Sequence, residues 1–314
     1  MRKFVLWHAL PLLLILTACP VEKASALETK VEVTQGIRHD HLRWRASRKH
    51  EGVHAQTKAD LHSKRIYLSG LKGTICAGDY VGCLDLVYGD VFHGKARERI
   101  RSEEGPKQEI AHMHAKIHGD YNFDSSLKIG RIFHVYQDAT LTPSLGAAYF
   151  LQKYTLKKGD VTIRGEHPNY PGAPQFLDTH RKFHDMHATT KASWASPFID
   201  LRLKKPVFSS FALEFGYAFF YPMHFTNKSH FEHVHSRIKD KSRERNTYGQ
   251  QGDVTLHYSC IKNLEIALGA RFSEFIGHDG YSRVSEHGST EERFRFKKVR
   301  RTTVDYLLSL AYSF

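Results

Sequence analysis

The C-terminal segment alternates strictly between two kinds of residue. One face is small or polar apart from Leu307, and it comprises Thr303, Asp305, Leu307, Ser309, Ala311 and Ser313. The other face is apolar, and it comprises Val304, Tyr306, Leu308, Leu310, Tyr312 and Phe314. Such period-two alternation, with aromatic residues near the strand end, is typical of a strand that faces lipid outside and a barrel lumen inside. We expect the terminal Phe314 to act as the recognition signal for bacterial barrel assembly.

The same alternation recurs along the chain, and charged residues such as Asp200, Arg202, Glu214 and Arg271 fall on the predicted inner faces. The sequence therefore predicts an all-β transmembrane antiparallel β-barrel of about ten strands, with both ends on the periplasmic side. The predicted strands are 28–47, 57–71, 83–99, 110–135, 139–158, 187–204, 206–226, 246–261, 264–283 and 296–314.

Short and long connections alternate between these strands. Tight turns are predicted at 136–139, 204–206 and 261–263, and long polar loops at 159–187, 227–246 and 279–295. Short periplasmic turns and long extracellular loops are typical of outer-membrane barrels. Because about eight strands are just filled by side chains and wide channels need about sixteen, ten strands exclude a wide diffusion pore.

Composition narrows the class of protein. The 314 residues are 41% hydrophobic, with a formal net charge of +13 and four cysteines. A mean hydropathy of −0.46 excludes a multi-span helical membrane protein. The cysteines are too few for a disulfide scaffold.

The first 26 residues have the pattern of a secretory signal peptide. Arg2 and Lys3 precede the apolar run from Phe4 to Ala18, and the small residues 24–26 offer a cleavage site after Ala26. The alternative is lipidation at Cys19 within the lipobox-like residues 16–19. Cleavage after Ala26 removes three basic residues and one acidic residue, so the net charge falls by two to +11. Residues 27–314 are then the barrel domain, in the cell outer membrane.

Two stretches resemble a known family. Residues 36–44, which read Gly-Ile-Arg-His-Asp-His-Leu-Arg-Trp, resemble the Gly-Tyr-Arg-x-Asp-x-Leu-x-Trp opening of the Protochlamydia outer membrane protein family. Residues 89–97, with His93-Gly94-Lys95, resemble its Gly-x-x-x-His-Gly-Lys-x-Arg stretch, and Ile66-Tyr67 and Leu308 to Phe314 also agree. The resemblance implies an outer-membrane barrel of unassigned activity in a Gram-negative, chlamydia-like bacterium.

The layout is also similar to that of omptins, which are ten-stranded outer-membrane proteases. That resemblance implies an Asp-x-Asp pair and an Asp-x-His pair at the extracellular rim. The sequence offers Asp90 with His93, and Glu232 with His233 or His235, so both pairs depart from the pattern. We therefore predict no catalytic residues. Omptin-like proteolysis at a degenerate site and a narrow solute channel remain alternatives to a structural or adhesive barrel.

Histidines and basic residues concentrate in the predicted extracellular half. The basic clusters are 43–45, 48–49, 95–101, 237–245 and 293–301, and histidines include His41, His62, His112, His114, His180, His184, His187 and His233. The histidine spacing defines no metal-ligand set, so neither metal nor cofactor is predicted. The basic rim either binds phosphates of lipopolysaccharide or sulfated host glycans, or is a solvated surface without a specific partner. The export signal argues against nucleic acid.

The sequence does not decide the redox state of Cys76, Cys83 and Cys260. Cys76 and Cys83 flank a glycine-containing turn and could form a disulfide, or remain free. Cys260 is predicted at a lipid-facing or turn position, where an intermolecular bridge is one alternative.

Overall fold

The computed structural model describes residues 27–50, 53–102, 109–135, 138–163, 182–233, 236–244, 246–261, 263–286 and 292–314. The predicted signal peptide, residues 1–26 with Cys19, lies outside the described residues. The described part contains fourteen β-strands. They are β1 (Leu27–His50), β2 (Val53–Ala77), β3 (Tyr80–Ser102), β4 (Glu109–Ile117), β5 (Tyr121–Arg131), β6 (Phe133–His134), β7 (Thr140–Ile163), β8 (Lys182–Phe208), β9 (Phe211–Phe220), β10 (His224–His233), β11 (Ser236–Glu244), β12 (Asn246–Ile261), β13 (Leu264–Glu286) and β14 (Glu292–Ser313).

Antiparallel pairing joins these strands into a closed ring. β14 pairs with β1 and β13, β1 with β2, and β2 with β3. β4 and β5 share the position between β3 and β7, with β6 beside β7, and β9 and β10 share the position after β8. β11 and β12 complete the ring against β13. The described strands thus occupy ten wall positions, which confirms the predicted antiparallel barrel and leaves no free sheet edge.

The periplasmic end carries the described chain ends, Leu27 and Phe314, and short turns such as Gly78–Asp79. One predicted turn, 204–206, is wrong, because these residues continue β8 and the turn lies at Ser209–Ser210. Pro206 is tolerated in the strand because the register shifts directly after it. The side chain of Lys204 faces the lumen, where its Nζ lies 3.4 Å from Glu265.

The extracellular connections are in large part hairpins rather than irregular loops. The predicted loop 227–246 is mostly the β10–β11 hairpin, and the predicted loop 279–295 is mostly the ends of β13 and β14. Above the lipid both wall faces tolerate polar residues, so the alternation that marks a strand in sequence disappears there. Of the predicted loop 159–187, residues 164–181 lie outside the described part.

The outer face is apolar where the barrel is predicted to meet lipid. Tyr306, Leu308 and Leu310 are about half exposed, whereas Asp305 and Ser309 on the alternate face are buried. Exposed aromatic residues lie toward both borders of this apolar band, hereafter the lipid band. They include Tyr67, Phe92, Tyr149, Tyr217 and Tyr221 above, and Tyr80, Phe133, Phe208, Tyr258 and Phe314 below. No helix among the described residues is long and apolar enough to span a membrane.

Two predicted outward positions need correction. Leu151 follows the outward alternation of β7 but is only 8% exposed. Cys260 is only partly exposed because the register shifts between Ser259 and Ile261, which makes Ile261 the outward residue.

An arginine on the lipid-facing side should destabilise the barrel according to depth. Leu268, at the middle of the apolar run 264–272 of β13, is 58% exposed, and Ile261 at the periplasmic end is 67% exposed. We expect Leu268→Arg to lower the free energy of unfolding from vesicles by about 2–4 kcal/mol, and Ile261→Arg by about 0–1 kcal/mol. Urea titration of tryptophan fluorescence measures both. Equal losses would contradict the assigned depth.

Candidate functional site

The alternate residues of the 36–44 motif form the buried face of β1. Arg38, Asp40, Leu42 and Trp44 all point into the lumen and are at most 9% exposed. Gly36 starts this series because a Cβ there would overlap the backbone oxygen of Tyr306 on β14. The motif therefore gives the lumen two charged residues followed by two large apolar ones.

Arg38 is the centre of the first luminal ion network. Its Nε and one terminal nitrogen each lie 2.8 Å from an oxygen of Asp305, a bidentate pair between β1 and β14. Its other terminal nitrogen lies 2.7 Å from Asp124 on β5, across the lumen. Because bidentate pairs with arginine combine charge with fixed geometry, Arg38 holds three walls in one arrangement.

Asp40, close to Arg38 in the lumen, accepts hydrogen bonds from a second set of donors. Arg301 on β14 donates to its Oδ2 at 3.0 and 3.2 Å, and Gln152 on β7 donates at 2.6 Å. Asp40 and Arg301 are each about 1% exposed. A buried carboxylate is tolerated only when it is paired and hydrogen-bonded, and Asp40 meets both conditions.

A further network fills the periplasmic half. Arg202 contacts Glu214 at 2.5 Å and Asp253 at 3.3 Å. His257 lies between two carboxylates, with Nδ1 2.8 Å from Glu265 and Nε2 3.6 Å from Glu214. Lys128 pairs with Asp200, and Lys30 reaches Glu265 at 2.7 Å. Each of these four carboxylates, on Asp200, Glu214, Asp253 and Glu265, thus lies beside a luminal cation.

An aromatic layer closes the lumen above these networks. The ring of Phe275 lies 4.8 Å from that of Phe150, 5.5 Å from Phe220 and 5.7 Å from Trp194. The guanidinium of Arg301 sits 5.6 Å above the Phe275 ring, which joins the ionic and aromatic layers. Farther up, Leu42, Ile117 and Val299 are fully buried in the same apolar core.

The described lumen contains a cavity of about 110 Å³. It extends from Lys72 and Arg202, among the charged networks, to Phe275 of the aromatic layer. That volume accommodates several water molecules.

Of the candidate protease residues, the two with described side chains, Asp90 and His93, do not face the lumen. Asp90 and His93 are both exposed on the outer side of β3, because register shifts around Arg65 bring His93 outward. Glu232 and His233 lie in β10, opposite Arg237 and Ser236 of β11. His235 lies outside the described residues. The buried side chains of the described upper barrel are mostly apolar, with the polar Thr190, Asn227 and Ser229 among them.

The basic clusters form a surface of a different kind from the one predicted. We expected loops around the barrel mouth, but residues 43–45, 95–101 and 298–300 lie in strands, and their exposed members face outward above the lipid band. The reason is again that the strands extend beyond the lipid. We call this surface the outer basic patch, comprising His41, Arg43, Arg45, Lys58, His62, Lys95, Arg97, Arg99, His112, His114, Lys116, Lys157, Lys298 and Arg300.

Cross-strand pairing arranges the patch in rows. In the first row Lys95 stands opposite His62 and Lys116, and Lys116 stands opposite Lys157. In the third row Lys58 stands opposite Arg45 and Arg99.

The second row joins Arg300, Arg43, Asp60, Arg97 and His114. Asp60 accepts from His41 at 2.6 Å and lies 3.4 Å from Arg43, so it partly neutralises the row.

The histidines of the patch lie in pairs. The rings of His41 and His62 stack at 5.0 Å, and those of His112 and His114 meet edge to face at 5.4 Å. Burial, followed by the nearby His112, Arg97 and Arg99, lowers the pKa of His114. His180 lies outside the described residues, as do the side chains of His184 and His187. Among the described residues, no group of three or more His, Cys, Asp or Glu side chains could hold a metal ion.

The three described cysteines, Cys76, Cys83 and Cys260, carry free thiols. Cys76 pairs with Val81 and Cys83 with Thr74, so the two thiols are diagonal rather than direct cross-strand neighbours. That offset is unfavourable for a disulfide, which needs Cα atoms within about 7 Å.

Comparison with known proteins agrees with this fold. The model of the Protochlamydia outer membrane protein family matches residues 32–313. The chain belongs to this family. It is therefore a protein of the cell outer membrane. Among curated proteins, no sequence matches it.

Solved structures place this family member among outer-membrane barrels. The outer membrane protease OmpT of Escherichia coli superposes with a TM-score of 0.77 at 12% identity, covering 91% of this chain and 97% of OmpT. OprG of Pseudomonas aeruginosa gives a TM-score of 0.31 at 9% identity, covering 93% and 97%. The toluene transporter TodX of Pseudomonas putida gives 0.33 at 8% identity, covering 95% and 91%. The likeness to OmpT establishes a shared barrel layout.

The luminal ion networks were not predicted as a site from the sequence, although the sequence contains a signal for them. Alternation already placed Arg202, Glu214 and Asp305 on inner faces. The partners across the lumen depend on strand order and register, which local alternation does not contain.

Breaking one luminal pair should cost far more than breaking a surface pair. Asp305→Ala leaves Arg38 buried with a lost bidentate partner, so we expect a loss of about 3–5 kcal/mol in the free energy of unfolding. Arg295→Ala removes the exposed 3.1 Å pair with Asp279 and should cost less than about 1 kcal/mol. Urea unfolding from vesicles compares the two. A small effect of Asp305→Ala would refute the role of the network.

Proposed function

We propose that this barrel is a non-enzymatic surface protein whose outer basic patch binds glycans bearing phosphate or sulfate groups. The supporting observation is the pairing of like charges in the rows. Lys95 and Lys116 stand directly opposite one another, as do Lys116 and Lys157. Like charges directly opposite destabilise a sheet, so an array of them favours a surface that anions neutralise.

The dimensions of the patch suit an extended polyanion. Together its rows run across β14, β1, β2, β3, β4 and β7. Each row covers three to five neighbouring strands about 4.8 Å apart, so it spans roughly 10–19 Å. Anionic groups repeated along a glycan chain can contact several cations of such a row. The summed positive potential also raises the association rate, in a manner that salt screens.

The alternatives receive less support from the described lumen. Proteolysis of the omptin type requires carboxylates and an imidazole that converge at the rim, whereas Asp90 and His93 face outward. Solute passage requires an opening past Phe275 and its neighbours, where the rings are in contact. The outer wall is therefore the surface that we assign to function.

Acidification should strengthen binding. Histidine side chains titrate near 6.5, so a patch that contains them becomes more positive as the pH falls. The lowered pKa of His114 means that this ring becomes charged at a lower pH than an ordinary histidine. The increase in affinity should accordingly extend below the ordinary histidine range.

The test is retention of the refolded mature barrel on heparin over a salt series at about pH 7.5 and about pH 5.5. We expect salt-dependent retention that is stronger at the lower pH. Lys95→Gln/Lys116→Gln should lower the slope of log affinity against log salt by about one for each lost contact. A parallel titration with lipopolysaccharide separates a lipid-borne phosphate from a host glycan as the source of the anion.

The matched control is Arg131→Gln/Lys205→Gln. These exposed residues lie near the periplasmic ends of β5 and β8, and they stand opposite Tyr80 and Leu213 rather than opposite other cations. The control should leave retention nearly unchanged. Equal losses in the two variants would indicate attraction by net charge alone and contradict the proposed patch. Retention that is absent at low salt, or independent of pH, would contradict the role of its lysines or its histidines.

A further inference from the structure

The lipid-facing wall of β1 and β2 contains a polar pair. Gln35 lies between the exposed Val33 and Ile37, and Ser69 lies between the exposed Tyr67 and Leu71. The two residues are direct cross-strand partners. The Ser69 hydroxyl donates to Oε1 of Gln35 at 3.1 Å, and both side chains are exposed. This pair therefore lies within the lipid band.

The hydrogen bond satisfies only part of the Gln35 amide. The Nε2 group carries two donor hydrogens, and Oε1 keeps a second acceptor site. Within the described part of the chain, Nε2 has no hydrogen-bond acceptor. Hydrocarbon supplies none either, and an unsatisfied polar group in lipid costs free energy. Polar residues at such positions mark a contact that lipid alone does not make.

A groove of about 690 Å³ adjoins the pair on the same wall. It runs across β9, β12, β13, β14 and β1, where the outward Ala270 presents only a methyl group between Val254 and Tyr306. Leu268 and Leu308 lie along it in direct register with Gln35. The wall thus combines an apolar concave surface with one amide that needs a partner.

We infer that this wall docks against the same wall of a second copy of the chain, with Gln35 near the two-fold axis. An acyl chain could fill the groove but could not accept from Nε2. In a two-fold contact, Nε2 donates to Oε1 of the partner's Gln35, and the reciprocal bond forms by symmetry. The same residue supplies both donor and acceptor, so a second copy satisfies the site without any other protein.

This contact is compatible with the outer basic patch. Arg43 lies eight residues beyond Gln35 on β1, or about 26 Å along the strand. With a strand tilt of about 40°, those residues lie about a quarter turn around the wall. The cationic rows of the two copies are therefore directed away from the contact. The proposal does not depend on glycan binding.

The test is energy transfer between separately labelled mature barrels in vesicles at high dilution in lipid. We expect transfer above the level from random proximity. Gln35→Leu/Ser69→Ala removes the polar pair and should weaken association by about tenfold. The matched control is Ile199→Ala/Leu201→Ala, which changes two exposed residues of β8 on the opposite wall and should leave association unchanged.

Heat-modifiable gel mobility verifies that every variant is folded. Random-level transfer for the unmodified barrel would overturn the proposal and leave an acyl chain as the occupant of the groove. Undiminished association of folded Gln35→Leu/Ser69→Ala would also overturn it, because the contact would then not involve the amide. Weakening by Ile199→Ala/Leu201→Ala to the same extent would place the interface elsewhere.

Discussion

The pairing of charges inside a narrow closed barrel is the constraint on which the rest of the structure depends. Closure points every second residue of each strand into a lumen that ten strands leave only wide enough for side chains. Charged groups at those positions must therefore neutralise one another. Arg38 does so with Asp305 and Asp124, and Arg301 does so with Asp40. These contacts join distant strands, so the same interactions that satisfy the charges also fix the barrel geometry.

Because side chains fill the described lumen in this way, we assign function to the outer surface of the barrel wall. The aromatic layer around Phe275 and the apolar residues above it occupy the region where a rim site would lie. The outer surface instead has two specialised regions. Above the lipid, rows of cations face outward, and within the lipid band the Gln35–Ser69 pair interrupts an apolar surface. Both regions depart from what stability alone would select, and we assign a partner to each for that reason.

Much of the fold could be predicted from the sequence because its signal is local. Alternation identified the barrel, the number of wall positions and the inward placement of Asp305 and Glu214. It failed above the lipid, where β10 and β11 are polar strands that resemble loops. It also could not match Arg38 with Asp305, which is 267 residues away. Nor could it show that a register shift next to Arg65 turns His93 outward, so that Asp90 and His93 form no luminal pair.

The most direct test of a closed lumen is the ion current through the refolded mature barrel in a planar bilayer. The contact between Phe275, Phe150 and Phe220, together with the paired charges below it, predicts no stepwise conductance from the unmodified protein. Heat-modifiable mobility of the inserted material would show that the barrels are folded. Reproducible conductance steps from folded, unmodified barrels would contradict a lumen closed by packing and would return the interior to consideration as the functional part of the molecule.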